Sequence, residues 1–266
     1  MLRQMMWRAK VWTVISEDVK MLPERRGVVG RVLTREQKEM LFRVAGSRGA
    51  WMVAHCAAAL AASTTCRGVE LKNLRWGDVD LFAKVISVRR SKNEAGKRTI
   101  PLNADGVAAL SRLLERAHVN DAAGAGHYVF PACENEVIDP NKPQKTWRTA
   151  WRSLVKKTAY LAGREAAREA LAANHRISAA KGAWRRAAEF FSGLRFHDLR
   201  HQAITELAEQ GASDATVMAL AGHLSRAMME HYSHVRMEAK RAAVDGLATG
   251  LVQKRAEEQP LSSTVQ

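Results

Sequence analysis

The chain has 266 residues, 47% of them hydrophobic, which is enough for one substantial core with a small appendage. Lys and Arg outnumber Asp and Glu by 42 to 27, and the resulting formal charge of +15 points to a polyanionic partner, most simply nucleic acid. No stretch is long and apolar enough for a membrane span, residues 1–20 are too charged for a signal peptide, and Cys56, Cys66 and Cys133 have neither disulfide-framework nor zinc-ribbon spacing, which fits a reducing cytoplasm.

Residues 1–21, rich in Trp, Met, Arg and Lys, read as one helix, and a basic linker carries the chain to Gly30. Thr34, with Gln37 three residues on, is a capping box that opens a helix to about Ala45. Residues 51–63 are alanine-rich and apolar nearly all round, which predicts a buried helix. Arg67 precedes a short helix containing Glu70, Leu71 and Leu74, and Trp76 leads into a sheet. Two β-rich runs, 85–89 and 97–102, flank Asn93, Glu94, Ala95 and Gly96, which is a hairpin signature. Lys92 lies just past the first run, at that strand's end, and Lys97 starts the second. A helix over 102–118, a strand-like run over 128–131 and an amphipathic helix over 146–161 carrying Trp147, Trp151 and Leu154 follow. Residues 163–191 are alanine- and arginine-rich and helical by propensity. They read as a helical decoration packed on the domain's flank, with DNA or protein contact as the other reading.

The densest chemistry lies in residues 196–234. Asp198 suits a helix cap ahead of an apolar stripe of Leu199, Ala203 and Leu207, while His197 and Arg200 share the neighbouring face. Gly211 breaks that helix; Ser213 caps a second, with Val217, Leu220 and Ala221 facing inward and Gly222 closing it. His223 follows in the loop, and Ser225 starts a third helix bearing Met228, Met229 and Tyr232. A further basic helix places Val235, Ala239, Ala242 and Val244 on its apolar side, and a polar tail closes the chain. A cation, two imidazoles and a phenol converging on one pocket suit an anionic substrate attacked by an oxygen nucleophile.

The combination of His197 and Arg200 at HxxR spacing, Gly222 before His223, and Tyr232 nine residues after that histidine resembles the phage-integrase family of tyrosine recombinases. Arg67 resembles the family's first arginine, although Thr65 stands where the family usually has glycine. The resemblance implies an α+β, mostly helical catalytic domain with a small antiparallel β-sheet. It also implies site-specific breaking and rejoining of double-stranded DNA by a homotetramer, with no metal or other cofactor and no membrane. Tyr232 is then the nucleophile, Arg67, Arg200 and His223 stabilise the phosphate, His197 handles the nucleophile's proton, and Lys92 protonates the leaving group, with Lys97 the competing lysine. Glu70 matches the family's acidic partner three residues after the first arginine. On this reading residues 1–30 are the residual helix and linker of a core-binding domain, 31–251 the catalytic domain with an insertion at about 163–191, and 252–266 a tail. Two alternatives stay open: a helix-turn-helix DNA-binding regulator built on residues 208–217, and a catalytically impaired recombinase that only binds DNA. A zinc hydrolase using His197, His201 and His223 is disfavoured by Arg200, which would repel the metal.

Overall fold

Alanine decides the centre of the molecule. In the computed structural model, which describes residues 2–15, 30–89, 97–135, 137–222 and 244, the alanine-rich stretch forms a helix whose Ala54, Ala57, Ala58, Leu60 and Ala61 are all buried. Small side chains let neighbours close in from several sides. Numbering elements along the chain, this is α4 (Met52–Thr64), and α3 (Arg35–Gly46), α6 (Ala104–Val119) and α9 (Asp198–Glu209) pack around it. Two short helices, α1 (Leu2–Arg8) and α2 (Trp12–Ile15), precede them.

The caps fall where the side chains require them. Thr34 accepts the Gln37 amide while Gln37 accepts the Thr34 amide, which completes the capping box of α3. Asn103 caps α6 and Ser213 caps α10 (Asp214–Ala221), each accepting the amide three residues on. The expected single helix over 1–21 is instead broken at Lys10, which takes a φ of 58°. The residues after it, Val11, Trp12, Thr13 and Val14, are β-branched or aromatic and propagate a helix poorly.

Between α4 and α6 lie α5 (Gly68–Lys72) and a three-stranded antiparallel sheet of β1 (Val79–Asp80), β2 (Val85–Val88) and β3 (Arg98–Pro101). Ile86 and Ile100 face each other across the hairpin and are buried, which fixes its register. A second antiparallel pair, β4 (Pro131–Glu134) and β5 (Val137–Pro143), starts later than the strand expected over 128–131; Tyr128 forms an isolated bridge to Arg75 instead.

The amphipathic helix expected to stop near 161 runs on through Gly163 as α7 (Arg148–Asn174) and turns only at His175, whose φ is 50°. It then pairs with α8 (Ile177–Ser192) as a long hairpin. Gly163 is tolerated inside a helix because of this pairing: a Cβ there would lie 2.6 Å from the Trp184 indole nitrogen, so only glycine admits the ring at that distance. Arg31 donates to the Glu189 carbonyl at 3.1 Å and to that of Phe190, supplying the terminal carbonyls of α8 with donors and the helix end with positive charge.

Two hydrophobic clusters meet along α9. Leu199 belongs to the main core, while Ile204 and Ala208 join Val217 and Ala221 of α10 in a smaller one. Among the described residues no helix is long and apolar enough to cross a membrane.

Candidate active site

Three chain segments distant in sequence meet where α10 ends: the turn between α4 and α5, strand β3, and the first turns of α9. Polar side chains and exposed carbonyls hold them together.

At the turn, Thr65 takes a left-handed conformation with φ 56°. Such a conformation costs a β-branched residue about 1–2 kcal/mol. The Thr65 hydroxyl offsets part of this by donating to the Leu220 carbonyl at 2.8 Å. The turn then delivers Arg67 to the N-cap of α5 in extended conformation. Glu70, three residues on, accepts from the Arg67 amide at 2.7 Å and from its guanidinium at 2.9 Å. A carboxylate at this spacing locks backbone and side chain of the arginine together. The Arg67 side chain remains 33% exposed and so keeps access to solvent.

Arg98 on β3 completes the pair. Its guanidinium donates to both Glu70 oxygens, at 2.9 and 3.2 Å, and its Nε donates to the Leu220 carbonyl at 2.7 Å. Both Arg98 and Glu70 side chains are 5% exposed. Burial by itself would raise the Glu70 pKa, but the hydrogen bonds from Arg98 and Arg67 outweigh it and hold the carboxyl below its ordinary value. Glu70 is therefore an anion at neutral pH. Arg98 was absent from the expected site, yet the sequence carries its signal. In a strand, residues two apart share a face, so Arg98 lies on the side of buried Ile100, while Lys97 is exposed.

Arg200, on the first turn of α9, is 2% exposed. Its two Nη atoms donate to the carbonyls of Thr65 and of Ala221, the latter at 2.8 Å. Loss of solvation, and next the nearby charge of Arg67, lower its pKa to about 10, so it stays cationic at neutral pH. Asp198 does not cap α9 through its third amide. It is fully buried and accepts instead from the Arg195 amide at 2.8 Å and the Arg195 guanidinium at 2.8 Å, fixing the bend that leads into the helix.

His197 sits at that bend with its ring 4.9 Å from the His201 ring, edge to face. Partial loss of water, then the charge of Arg200, lowers its pKa below the ordinary histidine value, which favours a neutral imidazole able to accept a proton. Behind it Phe196 is wedged between Trp147, just ahead of α7, and Trp151 of α7, with ring centroids at 4.9 and 5.3 Å. His201 packs against Gly30, where a Cβ would fall 2.4 Å from the ring.

Gly222 follows α10 with φ 71° and ψ −151°, a conformation confined largely to glycine. A Cβ at this residue would lie 3.2 Å from Arg98 Nη1 and 3.7 Å from Arg67 Nη1, so the backbone here runs directly past both guanidiniums. Of the residues expected in the site, the structure brings Arg67, Glu70, Arg200 and His197 into one neighbourhood and adds Arg98. Lys92, His223 and Tyr232, and the helix expected around Met228 and Met229, lie outside the described residues. What the described arrangement offers is three guanidiniums, Arg67 accessible and Arg98 and Arg200 buried, beside the His197 imidazole, which suits an oxyanion undergoing substitution.

The chain is a mostly helical domain with small antiparallel sheets, and its arginines converge from separate elements. The phage integrase family model matches residues 31–239, and the chain belongs to that family. The chain is similar in fold to XerA recombinase, with a TM-score of 0.54 at 20% identity, covering 90% of this chain and 72% of that one. It is also similar to the Tn1549 transposon integrase in a structure with circular intermediate DNA, with a TM-score of 0.58 at 17% identity, covering 90% and 76%. A stretch of 66 residues is 38% identical to the shufflon-specific DNA recombinase of Escherichia coli, spanning 24% of this chain and 17% of that protein's length.

Proposed function

We propose that this protein is a site-specific DNA recombinase that breaks and rejoins double-stranded DNA through a 3′-phosphotyrosine. The observation that carries the reading is the approach of Arg67, Arg98 and the Gly222 backbone to one another, with Arg200 bonded to the same helix end. Family membership and the similarity to recombinases and integrases support it.

In the proposed reaction the Tyr232 oxygen attacks the scissile phosphorus while His197 accepts or orients its proton. The bond to the 5′ oxygen breaks, and Lys92 supplies the proton that oxygen needs. Arg67, Arg200 and His223 stabilise the negative charge that gathers on the nonbridging oxygens. One phosphoester replaces another, so a 5′ hydroxyl reverses the step without ATP or metal. Four subunits around two duplexes are the proposed assembly, with residues 31–251 as the catalytic domain.

The regulator alternative requires α10 to read DNA as a recognition helix. The exposed positions of α10 are Asp214, Ala215, Thr216, Met218 and Ala219, with no cation among them to meet phosphate or guanine.

The test is single-turnover cleavage of a nicked suicide duplex. Arg67→Ala and Arg200→Lys are expected to slow cleavage by about 10²-fold or more, as for loss of one transition-state donor, while duplex binding persists. Cleavage at the wild-type rate in both variants would show the roles to be misassigned.

A further inference from the structure

The α7–α8 hairpin holds ten Lys and Arg against three Glu between residues 148 and 192, so seven of the chain's fifteen excess positive charges sit in it. Their placement matters more than their number. Arg152, Lys156, Tyr160, Arg164 and Arg168 recur every four residues along α7, and all are exposed. Side chains four apart are surface neighbours that form a ridge inclined gently to the helix axis. The ridge from Arg152 to Arg168 is about 24 Å long, the axial rise of roughly seven base pairs. On α8, Lys181 and Arg185 repeat the spacing and are also exposed.

A helix that needs only solubility mixes its signs, because oppositely charged neighbours four apart stabilise it and like charges destabilise it. Here Arg148 and Arg152, Arg152 and Lys156, Arg164 and Arg168, and Lys181 and Arg185 are all like-charged neighbours. Glu165, which could have relieved them, faces another way and pairs with Arg43 of α3 at 3.4 Å. Among the described residues none of Arg152, Lys156, Arg164, Arg168, Lys181 and Arg185 forms a salt bridge. In mid-ridge Tyr160 is 48% exposed, with the Lys157 ammonium 5.5 Å from its ring centre. The row also starts at the site: Trp147 at the N-cap of α7 and Trp151 in its first turn have rings that hold Phe196 next to His197.

We infer that the hairpin beyond Tyr160, carrying Arg164 and Arg168 on α7 and Lys181 and Arg185 on α8, is an accessory arm that grips the phosphate backbone of duplex DNA flanking the reacting segment. The inference rests on the proposed function. It assigns the self-repelling charge a partner, since a row of phosphates neutralises cations that no salt bridge among the described residues engages. A protein partner would have to be a polyanion of matching length.

Binding is measured across a salt series for the full chain and for a fourfold variant, Arg164→Gln, Arg168→Gln, Lys181→Gln and Arg185→Gln. Two duplexes are used, one longer by about 12 base pairs on each side, the rise spanned by a helix the length of α7. Glutamine keeps helix propensity, and the helical content of the variant is checked by circular dichroism. The wild type is expected to bind the longer duplex more tightly and with a steeper salt dependence. Each lost phosphate contact takes about 0.9 from the log–log slope, so the variant's slope on the longer duplex falls by roughly 2 to 4, while its binding to the shorter one is unchanged. Equal slopes for wild type and variant would overturn the arm while leaving DNA binding intact. Self-association of the free protein that the variant loses, with slopes unchanged, would likewise overturn it in favour of a protein contact. A wild type that binds neither duplex would remove the proposed function itself.

Discussion

Leu220 and Ala221 stand at the end of α10, and three polar side chains donate to their carbonyls. Thr65 and Arg98 share the Leu220 carbonyl and Arg200 takes that of Ala221. One helix end thus sets the relative positions of the α4–α5 turn, the β-hairpin and α9. Arg98 is the most connected of the three, since it also neutralises Glu70, which in turn holds Arg67. Removing one partner of a buried ion pair leaves the other charge uncompensated, whereas replacing both is far cheaper. Arg98→Met is therefore expected to lose about 3 kcal/mol in urea unfolding, and Glu70→Leu combined with Arg98→Met to recover part of it. The double variant should still cleave poorly, because Arg67 has lost the carboxylate that orients it. Additive losses in stability would show that the two side chains act independently.

At the scale of elements, α10 is short, and its stability depends on its ends. Ser213 accepts the Thr216 amide at 3.1 Å, and Gly211 before it takes a φ of 80° to make the turn from α9. Ser213→Ala should cost about 1 kcal/mol, and Ser213→Asp a few tenths at most, measured by urea unfolding. Equal losses for both would place the effect elsewhere than the cap. These termini were legible in the sequence because capping is local chemistry: Thr34, Gln37, Ser213, Gly211 and Gly222 act within a few residues of themselves. The run of α7 through Gly163 was not, because the glycine's partner is Trp184, twenty-one residues away on another helix. Asp198 is a local exception: its carboxylate turns back to Arg195, three residues before it, instead of forward to the amides of the helix it opens.

For the whole molecule, motif spacing anticipated which side chains come together better than it anticipated the bonds between them. His197, Arg200, Arg67 and Glu70 were readable because their spacing follows helical periodicity and matches a family pattern. Arg98 matches no motif of the family pattern, and only strand alternation, which puts it on the side of buried Ile100, marks it. Thr65 shows the opposite case: where the family usually has glycine, the left-handed turn persists despite the substitution, with a hydroxyl bond to Leu220 in support. The charge of +15 named a polyanion from composition alone, and the structure shows that a large share of it lies along one hairpin rather than evenly over the surface.

The central claim is that a phenolic oxygen of this chain becomes joined to DNA beside the arginine pair. Its most direct measurement is incubation of wild type and Tyr232→Phe with nicked duplexes drawn from a pool of candidate sites, followed by denaturation and separation of protein-bound from free DNA. The wild type should yield a denaturation-resistant adduct, and Tyr232→Phe none, while both retain the same affinity for the duplex. An adduct of equal yield in the phenylalanine variant, or strand cleavage by the wild type with no protein attached, would contradict the account.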